Sequence, residues 1–342
     1  MERDMTRLLV EATVRRALKE AKDSPAREAR NLVDLGVHFS QGRFQSRLFS
    51  VMQRMLCDEK SAYYALIKDT LGHIDQNRLL TFGVNLGYEG CTKGAKTIRQ
   101  IEADEGMNIP WALSLQISGA KLADDPTFYA SVFRQGEELG IHTYLLYSKD
   151  LLRPLIPTLQ ERATSAFILC PTTAQVTESF IACLQAVPNV MVAVRWEAGA
   201  AEACQRLREA QIPYSVLWRY AEADRETILS GKWVSSVLPM HPIFAFLYPD
   251  SACSQTVQQE IYQYVLSVRE AQKHPVLLMD VKQDILLIDQ IISGDVCAVG
   301  FDSQGVLYTH LGCFPDASCN LFQNSLRNIL RRALKKGEAA AV

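Results

Sequence analysis

The chain has 342 residues, 48% of them hydrophobic and 22% charged, enough for one large domain or two ordinary ones with an ample core. Its 36 Lys and Arg nearly cancel its 38 Asp and Glu, which excludes a general nucleic-acid or membrane-surface binder, whose affinity rests on excess positive charge. The N-terminal MERDMTRLLVEATVRR lacks an uninterrupted apolar signal core, and no apolar run reaches the roughly 20 residues that span a bilayer, so a cytoplasmic protein is expected.

In chain order, residues 1–75 read as a helical segment. Its signals are TRLLVEATVRRALKEA and FQSRLFSVMQRMLCDEKSAYYALIKDTL, punctuated by Ser24-Pro25 and GVHFSQGRF. Leu48, Phe49, Met52, Met55 and Leu56 recur at helical spacing and need a partner surface. Over 76–274, apolar runs of strand length alternate with amphipathic helices, the pattern of βα units around a parallel sheet. LLTFGVNL, PWALSLQI, IHTYLLYS, SAFILC, VMVAVRW, PYSVLWRY and PIFAFLY read as strands. DPTFYASVFRQGEELG and AGAAEACQRLREAQ read as helices between them. The expected fold is α/β, a partial or complete (βα) TIM-type barrel rather than an open doubly wound sheet, with ligands held beyond the C-terminal ends of the strands.

Asn85, Gln116, Tyr147, Ser148, Arg195, Glu197 and Arg219 fall at those ends and are candidate ligand contacts. Arg195 and Glu197, two apart on one strand, fit an ion pair as well as they fit substrate binding. Residues 275–342 form a third part, in which FDSQGVLY reads as a hairpin turning at Asp302–Gly305 and QNSLRNILRRALKK as a final, solvated basic helix.

Nine cysteines, an odd number without a secretion signal, point to reduced thiols. Cys170, Cys183 and Cys204 stand in apolar or helical contexts, where cysteine acts as a small buried hydrophobe. Cys91 lies in the glycine-spaced VNLGYEGCTKGAK. It is a candidate nucleophile with Lys93 and Lys96 as its cationic setting, against the plainer reading of an ordinary loop cysteine with no His in its segment. Cys297, Cys313 and Cys319 surround the hairpin and suit a partial zinc or iron site completed by His310 or an outside ligand, or else three small packed side chains. The sequence holds no phosphate-binding glycine loop, serine nucleophile elbow or Asp- or His-rich metal spacing, and GVNLGYEG misses the dinucleotide fingerprint.

Taken in order, the stretches from about 79 to 332 resemble the radical S-adenosylmethionine (radical SAM) enzymes that carry a SPASM-type C-terminal module. In that family the first barrel strand precedes three cysteines, spaced i, i+4 and i+7, that hold a four-iron cluster and leave one iron open to S-adenosylmethionine. The corresponding positions here are Cys91, Ala95 and Ile98. The family's Gly-Gly-Glu-Pro turn, which holds the cofactor's amino group, is matched by Ser118-Gly119-Ala120-Lys121, with a cation where the acid would be. A lysine beside a sulfonium is unfavourable unless its charge points away. Cys297, Gly300, Gly305 and Cys313 match the SPASM-type Cys-x-x-Gly, hairpin glycine and Cys, and CNLFQNSLRNIL resembles its ending, with Cys319 in place of a glycine.

The resemblance implies a degenerate, non-catalytic or altered homologue that binds a peptide or an active partner enzyme. One alternative is an iron–sulfur enzyme that modifies a peptide. Another is a small-molecule-binding barrel.

Overall fold

The computed structural model describes residues 4–21, 27–28, 30–31, 33–34, 50, 53–148, 152–314 and 316–336. Ser24-Pro25, GVHFSQGRF, Leu48, Phe49 and Met52 lie outside them; Met55 is half-buried and Leu56 buried.

Helices α1 (Met5–Glu20), α2 (Tyr63–His73) and α3 (Gln76–Val84) lead into a π-helix, Asn85–Gly94, which continues into α4 (Ala95–Glu105). Then come β1 (Ala112–Ile117), α5 (Phe128–Leu139), β2 (Thr143–Ser148), β3 (Ala166–Cys170), β4 (Val190–Arg195), α6 (Ala200–Glu209), β5 (Tyr214–Tyr220) and β6 (Phe244–Pro249). The chain closes with α7 (Gln255–Ala271), β7 (Leu277–Asp280), α8 (Val281–Ser293), β8 (Val299–Phe301), β9 (Leu307–Thr309), β10 (Gly312–Cys313) and α9 (Leu326–Ala333). Among the described residues no helix is long and apolar enough to cross a membrane.

Six of the seven expected strands form, but LLTFGVNL does not: residues 76–105 run as continuous helix. The start signal is Asp75, whose carboxylate accepts from the Arg78 amide at 3.1 Å and whose carbonyl accepts from Leu79. Leu80, Phe82 and Val84 mimic the alternation of a strand, yet no turn residue breaks the helix until Gly106, which ends α4 at φ +65°. A seventh parallel strand comes instead from PVLLMD, as β7.

The chain divides into two compact units. The first comprises residues 1–81, 172–181 and 191–283; the second, 82–171, 182–190 and 284–342. The helical N-terminus groups with β4–β7, and the C-terminal hairpin groups with β1–β3. In the first unit, strands β4 to β7 pair in chain order, all parallel. The Ala62 amide donates to the Gln272 carbonyl and Tyr63 Oη to that of Arg269, tying α2 to the end of α7.

In the second unit the order is β10-β9-β8-β1-β2-β3. Strand β8 returns parallel beside β1, with Leu113 opposite Val299 and Leu115 opposite Phe301, and starts an antiparallel hairpin. Neighbours in chain order without a reversal are the connectivity of a βα barrel, not of a doubly wound sheet. The protein is thus α/β and barrel-like in its strand order.

The hairpin turns where the sequence predicts. Asp302 Oδ1 accepts from the amides of Gln304 and Val306 at 2.8 and 2.9 Å. Gly305 takes φ +76°, and a Cβ there would lie 2.8 Å from Asn320 Oδ1. Residues 320–321 fold back on this turn, through Asn320 Nδ2 to the Gln304 carbonyl and the Leu321 amide to that of Gly305.

One face of each unit's sheet is sealed. In the second, Leu113, Tyr144 and Phe167 stand abreast and wholly buried, with Phe133 of α5 meeting Tyr144 and Phe167 edge-on at 4.9 and 5.1 Å. In the first, Val194, Val216, Ala245 and Leu278 form the equivalent buried row.

Candidate functional site

The segment expected to be a cofactor loop is helix, and its three key positions are core. Cys91, Ala95 and Ile98 are 7%, 1% and 0% exposed. A spacing of i, i+4, i+7 places three ligands around a cluster when it lies in a loop, and places three side chains on one buried stripe when it lies in a helix. Here it does the second. Ala95 and Ile98 carry no ligating atom, so the residues present do not fit a four-iron cluster. Burial pushes the Cys91 thiol up to about 12, against a smaller opposite pull from the Trp111 indole. Lys93 does not supply a cationic setting, since its Nζ lies 3.4 Å from the buried carboxylate of Glu89.

This helix covers the N-terminal ends of β1, β2 and β3. Asn85, expected at the C-terminal end of a strand, donates through Nδ2 to the carbonyls of Ala163 and Ser165 just before β3, at 2.8 and 2.9 Å. A Cβ at Gly90 would meet Thr143 Oγ1 at 3.2 Å and Trp111 Nε1 at 3.4 Å. A Cβ at Gly94 would lie 2.3 Å from the Gly140 carbonyl oxygen and 2.5 Å from that of Glu89. Gly90 therefore lets the helix approach the start of β2, and Gly94 lets it approach the turn that ends α5, at the end of a βα sheet opposite the one where ligands bind.

The C-terminal ends of the strands fit the expectation better. In the second unit Gln116, Tyr147 and Cys170 stand abreast on β1, β2 and β3, on the face opposite the sealed one, with Gln116 and Tyr147 half-buried, the Tyr147 hydroxyl turned inward and Cys170 buried. Ser118 caps the short helix Gly119–Asp124 by accepting from the Lys121 amide, and its own amide donates to Tyr129 Oη at 2.8 Å. Ser148 donates to the Ile117 carbonyl. Lys121 carries its charge away: Nζ lies over the rings of Phe128 and Phe322, 5.0 and 5.8 Å from their centroids, and 3.6 Å from Asp124.

In the first unit the face opposite the sealed one carries Arg195, Leu217, Phe246 and Met279 in one row, with Leu217 and Phe246 buried, and Arg219 with Tyr248 in the next. Arg219 is exposed and pairs with Asp250 at 3.0 Å. Glu197 is exposed and accepts from the Thr173 amide at 2.7 Å and its hydroxyl at 3.2 Å. Sequence reasoning missed Phe244, Phe246 and Tyr248, which alternate along β6 toward this face, the two phenyl rings stacked at 5.2 Å. Their period of two in FAFLYP was the available signal.

The hairpin cysteines do not converge. Cys297 is buried ahead of β8, its thiol raised well above its ordinary value by burial and by the nearby Asp289, Glu102 and Asp295. Cys313 is exposed on β10 and Cys319 is buried after the turn. Among the described residues no group of three or more His, Cys, Asp and Glu could hold a metal ion. All nine cysteines are free thiols, with Cys170 and Cys204 buried as expected and Cys183 half-buried.

Around Cys297 lies a polar cluster with a structural task. Asp289 is wholly buried and accepts from the Trp111 amide at 2.6 Å, and Glu102 accepts from the Ile109 amide at 2.9 Å and from Lys336 Nζ at 3.1 Å. Burial raises the Asp289 carboxyl well above its usual range. The basic final helix is likewise engaged: Arg327 and Arg331 both reach Glu105, and Arg332 reaches Asp316.

No known family model matches the chain, and no curated protein sequence is similar enough to serve as a relative.

Proposed function

We propose that this chain is a degenerate barrel protein of the radical SAM type whose task is to bind a peptide on a sheet face of one of its units, near the C-terminal ends of that unit's strands, without cluster chemistry. The observation that carries the reading is the buried stripe of Cys91, Ala95 and Ile98: the spacing that would serve a cluster in a loop serves helix packing in this chain. Support also comes from the open sheet faces. Gln116 in one unit, and Arg195 and Arg219 in the other, offer amide and guanidinium groups beside apolar and aromatic neighbours such as Tyr147 and Tyr248, a mixture suited to a peptide's backbone and side chains.

Two measurements test this. After anaerobic reconstitution with iron and sulfide, the protein is expected neither to form an iron–sulfur chromophore nor to cleave S-adenosylmethionine reductively. Cleavage that disappears in Cys91→Ala overturns the proposal in favour of an iron–sulfur enzyme. Selection from a displayed random-peptide library is then expected to return binders whose affinity drops about tenfold or more, some 1.4 kcal/mol, in Gln116→Ala or Arg219→Ala. Binders indifferent to both substitutions remove the open faces from the reading.

A further inference from the structure

The last turn of α2 ends on a polar cluster of the first unit that lies beside the start of β5, away from the strands' C-terminal ends. Arg208 of α6 makes a two-pronged bond to Asp69, Nη2 to Oδ1 at 2.6 Å and Nη1 to Oδ2 at 3.0 Å. His73, one turn on, is buried. Its Nδ1 lies 2.7 Å from the Asp69 carbonyl oxygen, 3.3 Å from Asp69 Oδ2 and 3.1 Å from Arg208 Nη1. A carbonyl only accepts, so Nδ1 carries the proton of the neutral ring. The other nitrogen, Nε2, is buried without a hydrogen-bond partner.

Two further titratable groups face this pair. Tyr214 of β5 sets its ring 5.7 Å from the imidazole and donates to the Met240 carbonyl at 2.7 Å. His241 places Nδ1 4.0 Å from Asp69 Oδ2. Arg208 and His241 also line an open groove of about 1160 Å³, with Gln205, Arg206, Ser236 and Met240, so solvent reaches the rim of the cluster.

We infer that Asp69, His73 and Arg208 form an acid-sensitive latch on the C-terminal end of α2. With His73 neutral, the fork from Arg208 to Asp69 holds the last turn of α2 against α6. A proton on Nε2 finds no acceptor and puts a second cation beside Arg208 in a buried place, so the turn loosens to admit water. The opposite end of α2 keeps its bonds from Ala62 and Tyr63 to the end of α7, and the helix opens at one end only.

The direction of titration agrees. Burial is the largest influence on His73 and lowers its pKa, Arg208 and His241 add to that, and the Asp69 carbonyl and carboxylate oppose it. A docked histidine that binds protons less readily than an undocked one loses docking free energy as pH falls below about 6.5. Asp69 acts lower on the scale. Burial pushes its carboxyl up, but the hydrogen bonds and charge of Arg208, with both histidines, outweigh that and hold it below its ordinary value, so the fork itself survives until stronger acid.

Hydrogen–deuterium exchange tests the latch in the full chain, reading peptides over residues 63–76 against β5 as internal reference and correcting for intrinsic rate. Between pH 7.5 and 5.5 the protection of 63–76 is expected to fall about threefold or more in the wild type. It is expected not to fall in His73→Asn, which keeps a donor near the Asp69 carbonyl and takes up no proton. A wild type without the fall, or a variant that keeps it, overturns the inference. Should His73→Asn not fold, NMR titration of the wild-type imidazoles decides: His73 titrating below about 6.5 supports the latch, and titration at or above that value sinks it.

Discussion

The two ends of the parallel strands have been put to different uses. At the N-terminal ends of β1–β3 polar groups are numerous and closed in: Asn85 and Asp289 are buried and bonded to backbone, and Cys91 lies against Trp111. At the C-terminal ends, Gln116 and Tyr147 in one unit and Arg195 and Arg219 in the other keep part of their surface open. Buried polar groups bonded to backbone fix geometry, whereas half-open ones on a sheet face remain available to a ligand. The contrast separates polar residues closed into the fold from polar residues left partly at its surface, a distinction residue type alone does not make.

The largest effect that sharpens the contrast is expected at Gly94. The two atoms nearest its missing Cβ are backbone oxygens, at 2.3 and 2.5 Å, so neither can swing aside. Gly94→Ala should cost about 3 kcal/mol or more, read as a lower urea midpoint at unchanged slope. Cys91→Ser comes next. A hydroxyl in that closed site should cost about 1–3 kcal/mol, and in the wild type a thiol reagent should modify exposed Cys57 and Cys313 well before Cys91. Rapid labelling of Cys91 in the folded protein would break the contrast.

Asp289 gives a smaller effect with a defined sign. A carboxyl whose pKa is raised by folding favours the folded state below its unfolded value, and that contribution is lost as pH rises toward the folded value. Asp289→Asn should therefore flatten the decline of melting temperature above about pH 4 and leave the variant relatively more stable at pH 8. A variant whose melting profile parallels the wild type would show that the carboxyl is already ionised. The smallest effect on stability belongs to the open end: Arg219→Ala removes an exposed pair with Asp250 and should shift stability by no more than about 1 kcal/mol, while still weakening any peptide bound there.

Much of the fold was legible because its signals were local. Six strands, the hairpin at Asp302–Gly305 and the capped final helix each carried their own period or turn chemistry. The stretch 79–86 was misleading because alternation at Leu80, Phe82 and Val84 fits a strand and equally fits a helix buried over a wide face, and Asp75, the N-cap that decides between them, lies just outside the run. That one reversal of element type displaced Asn85 and Cys91 from the candidate site. The hairpin cysteines failed for another reason: sequence proximity to a turn says nothing about which way each thiol points, and Cys297 faces acids while Cys313 faces solvent. Gln116, Tyr147, Arg195 and Arg219 do lie in the last two residues of β1, β2, β4 and β5, because each strand carries its own local apolar period. The Asp69–His73–Arg208 cluster joins an i, i+4 pair on one helix to Arg208, which is far off in sequence, and no periodicity announces that partner.

The return of β8 to β1 has a consequence for synthesis. As the chain leaves the ribosome, β1 can pair with β2 on one side as soon as the latter emerges, but its other edge waits until residues 299–301 have been made, after the whole of β4–β7. For that interval the nascent protein carries an open strand edge between Leu113 and Leu115, the kind of surface on which chains join one another. Slow translation or truncation ahead of Val299 prolongs the exposure, so yield of the full-length protein should depend on chaperone supply more than its own stability would suggest.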